Sequence, residues 1–209
     1  MTLVDLRSDL LSRPTPAMIE AMMRAAGEPT HFGLREDPRQ LELEKRAADL
    51  LGQEDALLFP TCTMANQVAL MLLTRPGDTV AAPRDVHIVT SEANAPAILG
   101  GVHVEFVPGD SPMPPLAAWQ AIVCRRGDTQ NAPVTMFALE NSHYRAGGAV
   151  VNAGATAALA DVARENGIKL MIDGARLFDA AVALDAAPRD LAGHADAVSI
   201  SLNKSLGVP

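Results

Sequence analysis

The chain has 209 residues, of which 48% are apolar and 20% charged, with a formal net charge of −8 and a pI near 5.0. The apolar share suffices for a large core, and an acidic chain without a basic stripe is not expected to bind nucleic acid. No apolar run approaches the roughly 18 residues that cross a bilayer, and the charged N-terminus lacks a signal-peptide core. The two cysteines, Cys62 and Cys124, show no metal-ligand spacing. We therefore expect a soluble cytoplasmic protein with free thiols.

Two helices are predicted in the first quarter of the chain. The stretch TPAMIEAMMRAAG begins with Thr15 as a helix cap, continues with Pro16 at the first helical position and ends at Gly27. A second helix is predicted from Asp37, its cap, to Gly52, where it stops.

From residue 56 onward, short apolar runs alternate with helical segments. The apolar runs that we interpret as strands are ALLF (56–59), DTVAAP (78–83), VHVEFV (102–107), PVTMFAL (133–139), IKLMI (168–172) and AVSISL (197–202). Helices are predicted at 64–74, 91–100 and 155–166, and the stretch from 108 to 133, rich in Pro and Gly near its start, is interpreted as a surface connection. This alternation is typical of an α/β protein with a mostly parallel sheet.

Polar residues follow four of these predicted strands. They are Thr61 and Thr63 after 56–59, Glu140 and Asn141 after 133–139, Asp173 after 168–172, and Lys204 after 197–202. In an open parallel sheet, ligands bind outside the carboxyl ends of the strands. We therefore predict one functional site at this edge of the sheet.

Each of these side chains has both a chemical and a structural interpretation. Lys204 is either a partly desolvated amine that attacks a carbonyl group or a lysine that simply reaches solvent. Asp173 either holds a protonated ring nitrogen or caps the helix after it. Arg176 either binds a phenolate or carboxylate or is solvated.

The segment FPTCTMANQ places hydroxyl groups and backbone N–H groups at a helix N-terminus, where they either bind an anion or cap the helix. His87 and His143 either act on a planar ligand or are structural. No nucleotide-binding glycine motif and no metal-binding His/Cys cluster occurs. Taken together, an amine, a carboxylate, an anion cradle and an imidazole are what pyridoxal phosphate requires.

Five stretches carry a family resemblance: DLRSDLLSRPTPAM, LLFPTCTMANQVAL, ALENSHYRAGGAVV, MIDGARLFDAAVAL and SISLNKSLGVP. They resemble the low-specificity threonine aldolase family, within the β-eliminating lyases of the fold type I pyridoxal-phosphate enzymes. The resemblance implies a three-layer αβα large domain like that of aspartate aminotransferase, at 31–209, after an arm and helix at 1–30. It also implies that a C-terminal small domain lies outside these 209 residues.

The resemblance implies roles around pyridoxal 5'-phosphate and an amino-acid substrate: Lys204 forms the Schiff base, Asp173 pairs with the pyridine nitrogen, His87 stacks on the ring, Cys62 and Thr63 meet the phosphate, Arg176 contacts the phenolic oxygen or the substrate carboxylate, Ser8 helps to bind that carboxylate, and His143 lies at the substrate. The implied reaction is retro-aldol cleavage of a β-hydroxy-α-amino acid to glycine and an aldehyde, with His87, His143 or a water as the base. A homodimer or homotetramer is expected.

Two alternatives to this reaction stay open: β-elimination on another amino acid, and a non-catalytic fragment. The chain departs from the family pattern near the implied pocket, with Cys62 where glycine is usual and Phe32 where tyrosine is usual.

Overall fold

The computed structural model describes residues 5–29, 31–110, 112–123 and 129–208, so Cys124 lies outside the described residues. Its centre is a parallel sheet with the order β2-β1-β3-β4-β5. The strands are β1 (Thr79–Ala82), β2 (His103–Phe106), β3 (Val134–Glu140), β4 (Lys169–Gly174) and β5 (Ala197–Ile200). The predicted α/β class with a parallel sheet is confirmed.

Helices surround this sheet and complete the fold. They are α1 (Pro16–Ala26), α2 (Pro38–Leu51), α3 (Cys62–Leu73), α4 (His87–Thr90), α5 (Ala95–Leu99), α6 (Leu116–Val123), α7 (Ala153–Glu165), α8 (Leu177–Ala183) and α9 (Pro188–Ala192), with 3₁₀ turns at Asp9–Leu11 and Tyr144–Ala146. The predicted caps are confirmed: Thr15 accepts the N–H of Met18, and Asp37 accepts those of Arg39 and Gln40. In the part of the chain that the structure describes, no helix is both long and apolar enough to cross a membrane.

Apolar residues on the two faces of the sheet form two core clusters. On one face, Phe137 and Leu170 pack with Trp119 of α6 and Leu159 of α7, and the rings of Trp119 and Phe137 meet edge to face with centroids 4.8 Å apart. The alternate strand residues, Val80, Ala82, Met136, Ala138 and Met171, pack on the other face with Leu70 of α3. Because alternate strand residues point to opposite faces, these clusters give the three layers α, β and α.

The predicted strand at 56–59 is wrong, because the segment is not a strand in the structure. Leu57 and Leu58 are 53% and 46% exposed. A strand needs a neighbour for its backbone N–H and C=O groups, and among the described strands none runs beside 56–59. A groove of about 750 Å³ is lined by this segment and by β5.

Two other predictions between the strands also need correction. The predicted surface connection at 108–133 contains α6, whose Trp119 is fully buried. The prolines and glycines occupy the flanks of that stretch, whereas LAAWQAIV is an apolar helical segment. The helix predicted at 91–100 shortens to α5, because Ala93 and Asn94 adopt left-handed backbone conformations that end helical geometry. The predicted division at residue 30 stays a prediction.

Candidate active site

The strand register places three polar residues side by side at the carboxyl edge of the sheet. Glu140 at the end of β3 is opposite Asp173 of β4, and Asp173 is opposite Ser199 of β5. Since the three strands are parallel and adjacent, their ends deliver these side chains to one edge. Lys204 follows β5 by four residues.

Asp173 is almost fully buried and is held by hydrogen bonds on both oxygens. Oδ2 accepts a hydrogen bond from Asn66 Nδ2 at 2.8 Å, and Oδ1 accepts one from the N–H of Ala175 at 3.1 Å. Burial raises the pKa of Asp173 above its ordinary range. The helix-cap interpretation of Asp173 is wrong, because α8 begins at Leu177 and the residue in the cap position is Arg176.

Asn66 of α3 connects Asp173 with a second buried carboxylate, Glu92. Its Nδ2 atom also donates to Glu92 Oε1 at 3.0 Å, and its Oδ1 atom accepts the Ser199 hydroxyl at 2.6 Å. Glu92 in turn bonds Nδ1 of His87 at 2.9 Å. The potential metal-ligand atoms of His87, Glu92 and Asp173 lie within 4.8 Å of one another. Among the described residues, this is the one group that could hold a metal ion. Asn66, however, already bridges the two carboxylates by hydrogen bonds.

His87 and His143 differ in how their rings are engaged. His87 is half-buried and bonds Glu92 through Nδ1, a contact that raises the pKa of His87. His143 is fully buried, its Nδ1 accepts the N–H of Ala146 at 3.2 Å, and its Nε2 lies 3.3 Å from the carbonyl oxygen of Arg84. A ring that accepts at Nδ1 carries its proton on Nε2. Both nitrogens of His143 are therefore occupied by the protein backbone.

Glu140 ties together the two segments that carry these histidines. Its Oε2 atom accepts the N–H of His87 at 2.6 Å, and its Oε1 atom accepts the N–H of Tyr144 at 2.7 Å. Burial raises the pKa of Glu140. The carboxylate thus anchors the start of α4 and the turn at Tyr144–Ala146 to β3.

Lys204 and the start of α3 approach each other at the end of β5. The Nζ atom of Lys204 donates to Ser201 Oγ at 2.7 Å. Burial raises the pKa of the Cys62 thiol, and the positive charge of Lys204 partly opposes that rise. Thr61 caps α3 by accepting the N–H of Met64 at 3.0 Å, which confirms the cap interpretation for this residue. Thr63 is exposed in the first turn, where backbone N–H groups lack partners within the helix.

The N-terminal arm reaches the site through an ion pair. Arg176 donates from Nε and Nη2 to the two carboxylate oxygens of Asp9, at 2.5 and 3.0 Å, and its guanidinium lies 5.2 Å from the centre of the Tyr144 ring. This pairing lowers the pKa of Asp9. Ser8, the residue before Asp9, is exposed and accepts the N–H of Leu10 at 3.2 Å.

Replacing Asp9 by Asn is expected to release the arm. Because the folded pKa of Asp9 is lowered, the attachment is complete above the ordinary carboxyl pKa and is lost as the pH falls through the lowered value. Hydrogen–deuterium exchange at residues 5–13 should accelerate about tenfold in D9N at neutral pH, as expected for the loss of a charged hydrogen-bonded pair. The control is D5N, because the Asp5 carboxylate pairs only locally, with Arg7 two residues further along the chain. Equal exchange in D9N and D5N would contradict the prediction.

Sequence reasoning missed Asp9, Asn66 and Glu92, and it also gave no role to Ser199 or Ser201. Asn66 carried a signal, because it and Gln67 interrupt the otherwise apolar helix CTMANQVALMLL. Glu92 follows His87 by five residues, and no local pattern assigns it a partner. Asp9 lies 167 residues from Arg176, so their pairing depends on the fold.

Comparison with known proteins identifies related sequences and structures. The family model described as Beta-eliminating lyase matches residues 5–209. Low-specificity L-threonine aldolase 1 of Arabidopsis thaliana is 37% identical over 212 residues, which cover 100% of this chain and 59% of that protein. Low specificity L-threonine aldolase of Escherichia coli K12 is 32% identical over 99% of this chain and 61% of its own length. A structure of Leishmania major threonine aldolase has a TM-score of 0.77 at 22% identity, covering 90% of this chain and 55% of that one, and it shows the same fold. The chain thus spans about three fifths of the length of these curated relatives.

Proposed function

Because the chain belongs to the β-eliminating lyase family, we propose that it carries the cofactor site of an enzyme that cleaves a β-hydroxy-α-amino acid, of the threonine or allo-threonine type, to glycine and an aldehyde. The observation that supports this most directly is that ligand atoms of His87 and Asp173 lie within 4.8 Å of each other at the carboxyl edge of the sheet, with Lys204 four residues beyond the end of β5. The names of the two aldolase relatives support the reaction class.

The residues present fit pyridoxal 5'-phosphate. Asp173 is a buried carboxylate, and in the described part of the chain no ion pair compensates its charge; a protonated ring nitrogen would do so. Lys204 presents an amine bonded to a hydroxyl group instead of a carboxylate. The first turn of α3, with Cys62 and Thr63, offers N–H groups to a phosphate.

When bound, the cofactor would supply an electron sink for the bond-breaking step. Asp173 would keep the ring nitrogen protonated, His87 would lie against the ring, and Arg176 would orient the phenolic oxygen or the substrate carboxylate with help from Ser8. Since the backbone occupies both nitrogens of His143, we assign the acceptor of the substrate hydroxyl proton to His87. His143 then lies on the substrate side of the pocket as a ring that the backbone holds in place.

Product analysis tests the proposed reaction. The protein is incubated with pyridoxal phosphate and L-threonine or L-allo-threonine, and glycine, acetaldehyde, ammonia and keto acid are measured. We expect glycine and acetaldehyde in equal amounts. Ammonia with a keto acid would instead establish β-elimination, the second candidate, which the family's description and the bulkier Cys62 at the phosphate turn favour. No turnover despite bound cofactor would refute both.

Assembly and location complete the proposal. Large apolar side chains before α2 are exposed, in the arm and in the loop that follows α1, with Leu6 at 89%, Phe32 at 106% and Leu34 at 99%. Exposed apolar surface of this kind supports association of copies, and we propose a homodimer or homotetramer. The free thiol of Cys62 supports a cytoplasmic location.

A further inference from the structure

Glu92 is a buried carboxylate to which the proposed reaction gives no role. It lies in the turn between α4 and α5 and is 4% exposed. Oε1 is hydrogen-bonded to His87 Nδ1 at 2.9 Å and to Asn66 Nδ2 at 3.0 Å, and Oε2 accepts a hydrogen bond from Gln67 Nε2 at 2.5 Å. A buried carboxylate is costly unless donors surround it, and Glu92 has three.

The orientation of the Asn66 amide indicates whether the Glu92 carboxyl group is ionised. Its Oδ1 atom accepts the Ser199 hydroxyl, so Nδ2 is the atom that faces both Glu92 and Asp173. An amide NH₂ group only donates. Gln67 also presents its NH₂ group, to the other oxygen of Glu92. Glu92 is therefore met by donors on both oxygens and acts as an ionised acceptor.

The state of Glu92 in turn fixes the tautomer of His87. A carboxylate that accepts at Oε1 requires Nδ1 of His87 to carry a proton. The backbone of His87 is fixed as well, because its N–H donates to Glu140. With Nδ1 committed, Nε2 is the ring nitrogen left to exchange a proton with a ligand.

We propose that Glu92 is a positioning residue that holds the proton of His87 on Nδ1 and presents Nε2 to the ligand. Asn66 joins this anchor to Asp173, so that the imidazole and the buried carboxylate are held by one hydrogen-bonded unit. The role of Nε2 as proton acceptor rests on the proposed function, whereas the anchoring of Nδ1 is a property of the chain itself.

The carboxylates that face His87 all raise its pKa. They are Glu92 from the turn after α4, Asp173 from β4 and Glu140 from β3, and each raises the pKa of His87, with the Glu92 hydrogen bond contributing most and burial opposing it. Stability from a raised histidine pKa is complete below its ordinary value and is lost as the pH rises through the folded value. Removing the charge of Glu92 should therefore lower the pKa of His87.

Nitrogen-15 NMR of the histidine rings tests the anchoring without any cofactor or turnover. In the wild-type protein we expect the neutral His87 ring to carry its proton on Nδ1, with its signals identified by their loss in H87Q. In E92Q the pKa of His87 should fall, because the neutral amide oxygen can still accept a hydrogen bond from Nδ1 but no negative charge stabilises the protonated ring. The matched control is E54Q, which makes the same chemical change at an exposed glutamate and should leave both properties unchanged.

Two results would overturn the proposal: a wild-type His87 ring with its proton on Nε2, or an E92Q protein whose His87 titrates as in the wild type. The first needs no variant, so the proposal stays testable even if E92Q does not fold.

The pH profile of threonine cleavage by the cofactor-loaded protein separates this inference from the proposed function. The acidic limb of kcat/KM should move to lower pH in E92Q by the shift that NMR records, because His87 must be neutral at Nε2 to accept a proton. Cleavage with an unmoved limb would refute the role of Glu92 and leave the proposed function intact. Absence of cleavage together with the expected NMR result would refute the proposed function and leave the anchoring of His87 intact.

Discussion

Replacing Lys204 by Ala is expected to abolish the borohydride-stable labelling of this protein by pyridoxal phosphate. In the wild type, reduction should fix the label on the peptide that contains Lys204, as mass spectrometry of the digested protein would show. The chain has three lysines, at positions 45, 169 and 204, so the experiment has few competing amines. The expected loss is essentially complete, because the other two lysines are ion-paired and exposed.

The surroundings of the three lysines explain this selectivity. Lys45 donates to Asp49 at 3.0 Å and Lys169 to Asp196 at 2.7 Å, and both are largely exposed. In each of these pairs the carboxylate must be displaced before the amine can attack a carbonyl carbon. Lys204 is half-buried and donates to the Ser201 hydroxyl. Among the described residues, no carboxylate at hydrogen-bonding distance has to be displaced before Lys204 attacks a carbonyl carbon.

The variants K45A and K169A serve as matched controls and should retain the label at Lys204. Comparable labelling of Lys45, Lys169 and Lys204 in the wild type would contradict the prediction. It would mean that the end of β5 does not form a cofactor site in this chain.

Replacing Asp173 by Asn is expected to lower kcat for threonine cleavage by at least about a hundredfold, the typical effect of removing one preorganised electrostatic group from an active site. The affinity for the cofactor should change much less, because Lys204 and the first turn of α3 still contact it. The fall in kcat is expected because a neutral amide cannot stabilise a positive ring nitrogen, although it fills the same space beside Asn66. Steady-state kinetics and cofactor titration measure the two quantities.

The control for this substitution is D161N, which changes an exposed aspartate of α7 and should leave both quantities unchanged. If D173N lost cofactor affinity and rate in the same proportion, Asp173 would be a binding residue and not the group that maintains the charge on the ring. An unchanged rate would remove Asp173 from the mechanism.

Local features of the sequence were sufficient to predict much of this fold. Thr15 and Asp37 identify helix starts because a cap bonds backbone N–H groups two or three residues away. The strands that end near Glu140 and Asp173 were predicted because they are short apolar runs between helices. Once a parallel sheet is assumed, strand polarity alone brings these residues to one edge.

The segment at 56–59 and the helix α6 show where local reasoning fails. The apolar run ALLF has the composition of a strand, but pairing depends on a neighbouring strand that a local pattern does not reveal. Trp119 lies in a stretch whose prolines and glycines suggested a surface loop, and its burial depends on Phe137 of β3. In both cases the environment of the segment, not its composition, decided the outcome.

The contacts within the site were decided by the tertiary structure. The sequence by itself determined which residues arrive at the edge of the sheet, since that depends on caps, periodicity and strand direction. It did not determine that Asp9 pairs with Arg176, that Asn66 bridges Glu92 and Asp173, or that the backbone occupies both nitrogens of His143. A hydrogen bond requires two atoms within about 3 Å at a favourable angle, and for partners far apart in the chain only the packing of helices against the sheet sets that distance.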